Sequence, residues 1–439
     1  MDSSIDDAEP ARQPTLNRSD VKTLGLSALG GTLEYYDFVI YVFFASVIGK
    51  LFFPAHMSDG LRDLQTFGIF AAGYLARPVG GAIFGHFADR FGRKRMFTLS
   101  ILLMACPTLL IACLPTYESI GMAAPVLLLL MRLLQGIAVG GELTGAWVFV
   151  GEHAPPRHYG FSLGVLTAGL NGGIVLGSIV AYVVHAMWSS AEVQDYAWRL
   201  PFALGGVFGM VSVYLRQFLG ETPVFKAMQV QRKLTREMPV RTVLREHRGT
   251  LLYLGVQIWV LSAAIGVILL LTPVFLQKNY GISASEALSA NVIATTAALI
   301  GCVVTGWATD RFGARLVMAV GWTGLLISSH VLYAGLPGTP QWVTLHYAMT
   351  GFFVGTVVIV PVVGVRAFPA AIRSSGLSFG YNIFYAVFGG LTPMLVSYLL
   401  RMDHMAPAHY VAVLCAVGAL SAFLPMPGRE ERAPAMQLA

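Results

Sequence analysis

The chain has 439 residues, 56% of them hydrophobic and only 12% charged, with a mean hydropathy of +0.66. A soluble chain of this length would carry roughly twice that charge, so the composition excludes a cytosolic enzyme, a disordered regulator and a secreted disulfide scaffold. The formal net charge is +6, but the basic residues sit between apolar runs long enough to cross a bilayer, so a membrane protein is expected and a nucleic-acid partner is not.

Residues 1–23 form a polar tail without an apolar signal-peptide core, so the first span is expected to direct insertion. Twelve apolar segments follow, at roughly 24–53, 64–87, 96–115, 123–150, 160–186, 199–219, 250–276, 287–308, 315–335, 342–365, 375–400 and 408–425. In lipid each backbone polar group needs a partner within its own segment, so these spans are predicted to be helices. Barrel strands would be about 10 residues long and alternating, and no segment alternates. Residues 220–249 are basic and interrupt the pattern, leaving bundles of six spans at 24–219 and 250–425 and a tail at 426–439. That linker reads either as a partly helical segment on anionic headgroups or as a solvated tether. With the N-terminus inside, twenty-two Lys and Arg fall on the inner side. Only Lys50, Arg62, Arg199, Lys278 and Arg401 fall outside, so both termini are expected in the cytoplasm.

The four cysteines make no CxxC pair, so neither a disulfide framework nor a metal site is expected. The glycine-rich stretches GLNGG and GGE lie inside spans rather than at a strand–helix junction, which removes a dinucleotide-binding reading. No phosphate-binding loop or Ser-His-Asp set is present. Neither enzymatic activity nor a cofactor is expected; a proton gradient is the expected energy source.

Charge inside a bilayer is expensive, about 2.5–3.5 kcal/mol per residue on insertion scales. Five charged residues lie within spans, namely Glu34, Asp37, Arg77, Arg132 and Glu142, all in the first half. Glu34 and Asp37 stand three residues apart and share one face of span 1. Two carboxyls so close disfavour carrying two charges at once, so one of them is expected to exchange a proton. Arg132, Gln135, Val139 and Glu142 form one stripe of span 4, and Arg132 is the expected counter-ion of Asp37 or Glu34. The alternative is a permanent bridge that only locks the two helices. Arg77, in mid-span 2 before Pro78, either offers its bidentate fork to a substrate carboxylate or pairs with the same acids. Tyr36, Gln135, Trp147, Asn171, Trp259, Tyr381, Asn382 and Tyr385 are the remaining candidates for a substrate cavity. Gly136/Gly140 and Gly169/Gly173/Gly177 have the small-xxx-small spacing of closely crossing helices.

The halves repeat each other. GHFADRFGRK, with Asp89, Arg90 and Arg93, follows span 2; GWATDRFGAR, with Asp310 and Arg311, follows span 8. Arg157-x-x-Gly160-x-Ser162-x-Gly164 opens span 5, and Arg373-x-x-Gly376-x-Ser378-x-Gly380 opens span 11. Two matched motifs argue for duplication and for a cavity between two bundles.

These motifs, with GGTLEYYDF, FAAGYLARPVGGAIFGHFADRFGRK, RLLQGIAVGGE and WRLPFALGG, make the chain resemble the major facilitator superfamily. Within it the chain is similar to the metabolite:proton symporter branch, the bacterial carriers of α-ketoglutarate, citrate, shikimate and proline/betaine. The resemblance implies two pseudo-symmetric six-helix bundles, alternating access, a monomer and a bacterial inner-membrane location. It implies that Asp37 and Arg132 form the proton-coupling pair, and that Asp89, Arg90, Arg93, Asp310 and Arg311 form a cytoplasmic gate. The osmosensing betaine carriers end in a long coiled coil, and no heptads follow residue 425 here. The main expectation is therefore proton-coupled uptake of a small organic acid. The alternatives are a symporter of zwitterions such as betaine or proline, held by an aromatic cage, a drug or siderophore exporter, and a sensor that does not transport.

Overall fold

The structure is a computed structural model describing residues 18–91, 93–216, 239–336, 342–369 and 372–427, apart from the side chains of residues 18–20, 23, 85–86, 88–91, 93–98, 141–142, 216 and 239–242. Each expected apolar segment is helical. Span 1 is Arg18–Phe43 followed, across a 62° bend, by Ala45–Phe52; span 2 is Asp59–Phe91, span 3 Arg93–Cys113, span 4 Ala123–His153, span 5 Tyr159–Met187 and span 6 Arg199–Arg216. Span 7 runs Arg248–Tyr280, span 8 Ala284–Phe312, span 9 Ala314–Gly335, span 10 Val343–Gly364, span 11 Arg373–Leu399 and span 12 Ala406–Leu420. Among the described residues nine helices are long and apolar enough to cross a membrane; the bent segments at spans 1 and 6 add two, and the apolar part of span 3, Leu99–Cys113, is shorter. No strand occurs among the described residues. Leu75, Val79, Leu102, Leu109, Leu130, Ile300, Ile327 and Leu391 are exposed on the outer surface, where lipid replaces water.

Two spans depart from the α-helix, and local side chains compensate. Span 7 contains a π-helical stretch, Ala264–Leu271. Its loosened carbonyls find hydroxyl donors: Thr272 bonds Val267 O at 2.8 Å, and Tyr347 of span 10 bonds Ile268 O at 2.6 Å. Val267 O also accepts the Thr272 backbone N–H, so the hydroxyls add to the hydrogen bonding that a span needs in hydrocarbon. Span 10 tightens to a 3-10 turn at Gly355–Val358. Within the basic linker, a helix at Pro239–Glu246 precedes span 7 and buries Val243; residues 217–238 lie outside the described set.

Small residues set the crossings. A Cβ on Gly80 would collide with the Ile137 carbonyl, one on Gly136 with that of Gly73, and one on Gly140 with that of Arg77. Spans 2 and 4 thus touch backbone to backbone, as the Gly136/Gly140 spacing predicts. Between the bundles, Gly164 lies against Cys302 and Gly306 against Gly160, joining spans 5 and 8, while Gly81 lies against Asn382, joining spans 2 and 11. Gly80→Ala is expected to cost about 1–3 kcal/mol through overpacking. Gly68→Ala, where nothing lies within 4 Å of the new methyl, is expected to be neutral or to stabilise by about 0.5–1 kcal/mol. Thermal unfolding of the two purified variants in detergent measures the contrast.

Candidate functional site

Span 2 carries Arg77 into the middle of the molecule, where it is 2% exposed. Its guanidinium carbon lies 4.8 Å from the Tyr385 ring centre, 5.3 Å from Tyr74, 5.7 Å from Phe38 and 5.8 Å from Tyr381. Spans 1, 2 and 11 therefore build one aromatic box across the two bundles. Tyr385 stands 5.1 Å from Tyr381 and 5.3 Å from Tyr74, and Trp147 meets Tyr381 edge-on at 5.1 Å. Tyr35 completes it beside Tyr385. Such rings attract a cation through their electron-rich faces, yet they cannot accept the full set of guanidinium hydrogens. Arg77 Nε and Nη2 are buried without a hydrogen-bond partner, and so is Trp147 Nε1.

Arg132 in span 4 is fully buried. Its guanidinium carbon lies 4.5 Å from the Tyr41 ring centre, 4.6 Å from Phe38 and 5.2 Å from Phe70. Nη1 donates to Gln135 Oε1 at 2.9 Å, while Nε and Nη2 have no partner. No ion pair joins Arg132 to Asp37, contrary to the expected pairing. The reason is the direction of the acids: both point at span 6. Glu34 accepts from Ser212 Oγ at 2.6 Å. Asp37 fills the space left by Gly205 and Gly209; a Cβ on Gly205 would collide with its Oδ1. Asp37 is 1% exposed, and Oδ1 has no hydrogen-bond partner.

Asp37 and Arg132 are instead connected through span 3. Thr108 lies beside the Asp37 carboxyl. Gln135 Nε2 donates to Thr108 Oγ1 at 2.7 Å, and the Gln135 oxygen accepts from Arg132. Thr108 currently donates to Met104 O at 3.0 Å. The sequence reading missed Thr108 because a threonine in an apolar helix ordinarily bonds its own backbone.

The other candidates divide. Tyr381 and Tyr385 line the box, and Trp147 packs on it. Tyr36 does not: its hydroxyl donates to Pro201 O at 2.8 Å and its ring meets Phe208. One residue earlier, Tyr35 takes the place expected of it, because a helix turns about 100° per residue. Trp259 is also elsewhere: it stacks on Phe388 at 4.3 Å and donates to Tyr410 Oη at 2.9 Å, within the second bundle. Asn171 and Asn382 cross between bundles, Asn171 bonding Cys302 Sγ at 3.4 Å and Asn382 the Gly140 carbonyl. They fasten helices at the interface.

At the end that carries the termini, Asp310 accepts from Gly160 N at 2.7 Å and Phe161 N at 2.8 Å. A carboxylate of span 8 thus caps the first turn of span 5, with dipole and hydrogen bonds acting together. Arg311 is exposed beside it, and the side chains of Asp89, Arg90, Arg93 and Glu142 lie outside the described residues. Glu152 and Arg373 form a second tie, 3.4 Å apart, between spans 4 and 11. Sequence reading used Arg373 only as part of the repeat.

The chain matches the family model Major Facilitator Superfamily over residues 38–393. It is 32% identical over 426 residues to the proline/betaine transporter of Escherichia coli (strain K12), covering 91% of this chain and 82% of that protein. It is 30% identical over 412 residues to a putative proline/betaine transporter of Staphylococcus aureus (strain COL), covering 91% and 86%. The proton:xylose symporter XylE bound to 6-bromo-6-deoxy-D-glucose shares the fold, with a TM-score of 0.76 at 18% identity over 94% of this chain and 98% of its own. A partially occluded inward-open form of XylE from E. coli gives 0.75 at 17% identity, over 93% and 99%. The chain belongs to the Major Facilitator Superfamily. It is a multi-pass membrane protein of that transporter fold, and its relatives are transporters of small molecules. The relatives fit the zwitterion alternative better than the organic-acid expectation.

Asp310→Asn weakens a charge-assisted cap, and bonds of that kind are worth about 1.5–3 kcal/mol. A cysteine at Val363, which lines the cavity of about 510 Å³ beside Asp310, is expected to alkylate about tenfold faster in the Asp310→Asn background than with Asp310 intact.

Proposed function

We propose that this protein takes up a small zwitterion of the betaine or proline type together with a proton, by alternating access between the two bundles. One observation carries the reading: a buried guanidinium, Arg77, has two nitrogens without acceptors inside a box of aromatic faces. A carboxylate supplies the missing acceptors in bidentate geometry. The substrate's ammonium then faces Tyr74, Tyr381, Tyr385 and Trp147, whose rings stabilise a desolvated cation by about 2 kcal/mol. An organic dianion would satisfy Arg77 but leave its second charge against aromatic faces that repel it. The relatives' names agree with this choice.

Asp37 is the proposed proton site. A buried carboxylate oxygen with no donor is costly, and a proton on Asp37 removes that cost. When the proton leaves, the Thr108 hydroxyl turns from the Met104 carbonyl to the carboxylate. Gln135 and Arg132 feel that turn through their hydrogen bonds, and Phe38 touches both Arg132 and Arg77. Proton and substrate thus bias one conformational equilibrium. Glu34, held by Ser212, stays close enough to disfavour a second charge. The charge asymmetry of the chain supports termini inside the cell, and Asp310 with its partners is the proposed closure of that side.

Proteoliposomes with an imposed pH gradient test the substrate class. Glycine betaine and proline are expected to accumulate, and α-ketoglutarate and citrate are not; the reverse pattern overturns the proposal. Arg77→Ala is expected to lower zwitterion affinity at least 100-fold, since the charged donor is lost and the substrate carboxylate is left without a partner. Asp37→Asn is expected to abolish gradient-driven accumulation while preserving substrate exchange. Loss of both activities in a folded Asp37→Asn protein would make Asp37 structural.

A further inference from the structure

At the end opposite the termini the two bundles meet over a cavity of about 330 Å³. Lys278, at the end of span 7, bonds Asp63 of span 2 across the bundles, Nζ to Oδ2 at 2.6 Å. Both side chains are about one third exposed, at 35% and 37%. Arg401, beyond span 11, lines the same cavity with its guanidinium beside Gly60, and among the described residues no carboxylate pairs with it. The cavity wall therefore holds two cations and one anion. Ser397 adds a buried hydroxyl oxygen with no partner, and Tyr398 an exposed ring.

We propose that this cavity is an outer antechamber that holds the substrate zwitterion before it reaches Arg77. The proposal rests on the zwitterion reading above. The carboxylate goes to Lys278 and Arg401, with Ser397 donating to it, and the ammonium goes to Asp63 and the Tyr398 face. The substrate then replaces an ion pair charge for charge. A half-exposed pair contributes only about 0–1 kcal/mol, so the exchange is easy. The Asp63–Lys278 pair is also a strap between the bundles, and a zwitterion inserted into it leaves neither charge bare while releasing the strap. A plain carboxylate would satisfy Lys278 and strand Asp63; a plain cation would do the opposite. The mouth thus selects for both charges and couples loading to opening.

Uptake of glycine betaine by Asp63→Asn and Lys278→Gln proteins in proteoliposomes tests this. The changes are at a half-exposed pair, so both variants are expected to fold. Each is expected to raise KM about tenfold. A strap without a ligand predicts the opposite, an unchanged or lower KM, because the mouth opens more easily; that result overturns the antechamber. Calorimetric titration of purified protein with glycine betaine separates the two sites. Wild type is expected to show a tight and a weak site, Arg77→Ala the weak site alone, and Arg77→Ala with Asp63→Asn and Lys278→Gln neither. A folded Arg77→Ala protein that binds no betaine at all, tightly or weakly, removes the antechamber and leaves the central site. Wild type that binds neither betaine nor proline removes the zwitterion reading and this proposal with it.

Discussion

Two guanidinium groups are buried in an apolar protein, and among the described residues no carboxylate sits on either; the central architecture follows from that. Burying an ion unpaired costs several kcal/mol even after relaxation. Arg77 and Arg132 recover part of that cost from ring faces, four around one and three around the other. Rings are suited to this because they stabilise a cation without neutralising it. A fixed salt bridge would have filled the same space at less electrostatic cost, but it would have left no valence for a ligand. The unmet nitrogens are in this sense the binding capacity of the site.

Glycine makes such an arrangement possible. Spans 2 and 4 carry the two arginines on helices that touch backbone to backbone at Gly73, Gly80, Gly136 and Gly140. Close contact there places both guanidiniums around Phe38. In the same way Gly205 and Gly209 hollow span 6 to admit Asp37. The small residues at the bundle interface, Gly160, Gly164 and Gly306, meet without interlocking side chains. Smooth surfaces of this kind slide or rock with little repacking, which alternating access demands.

Hydropathy and periodicity made the fold legible: the helices coincide with the apolar segments, and the two repeated motifs located the interface between bundles. Arg77, Tyr381, Tyr385 and the shared face of Glu34 and Asp37 were legible because helical spacing fixes relative direction along one helix. Direction between helices was not legible. Arg132 and Asp37 are on adjacent helices, yet a small rotation of span 1 aims Asp37 at span 6 and leaves Arg132 to Gln135. The same rotation exchanges Tyr36 for Tyr35 at the aromatic box. Trp259 faced the wrong neighbour because stacking on Phe388 is decided by span 11, far away in sequence. The Asp310 carboxylate that caps span 5 was readable because a motif repeated in both halves marked it.

The substrate class turns on a comparison that composition cannot make. Span 2 offers one cation and spans 1, 2, 4 and 11 surround it with rings, so the site's acceptor for a second substrate charge is a set of π faces. That geometry penalises an additional negative charge and rewards a positive one, whatever its hydrogen-bonding capacity. A quaternary ammonium, which has no N–H to donate, loses nothing against such walls, whereas a primary ammonium leaves donors unmet there. On the proposed zwitterion reading, the box would therefore rank betaine-like substrates and the secondary amine of proline ahead of ordinary amino acids. In the proposed mechanism the proton adds direction to this preference: the ligand would meet Arg77 while Asp37 would report to Arg132, and the two arginines share Phe38 as their common neighbour.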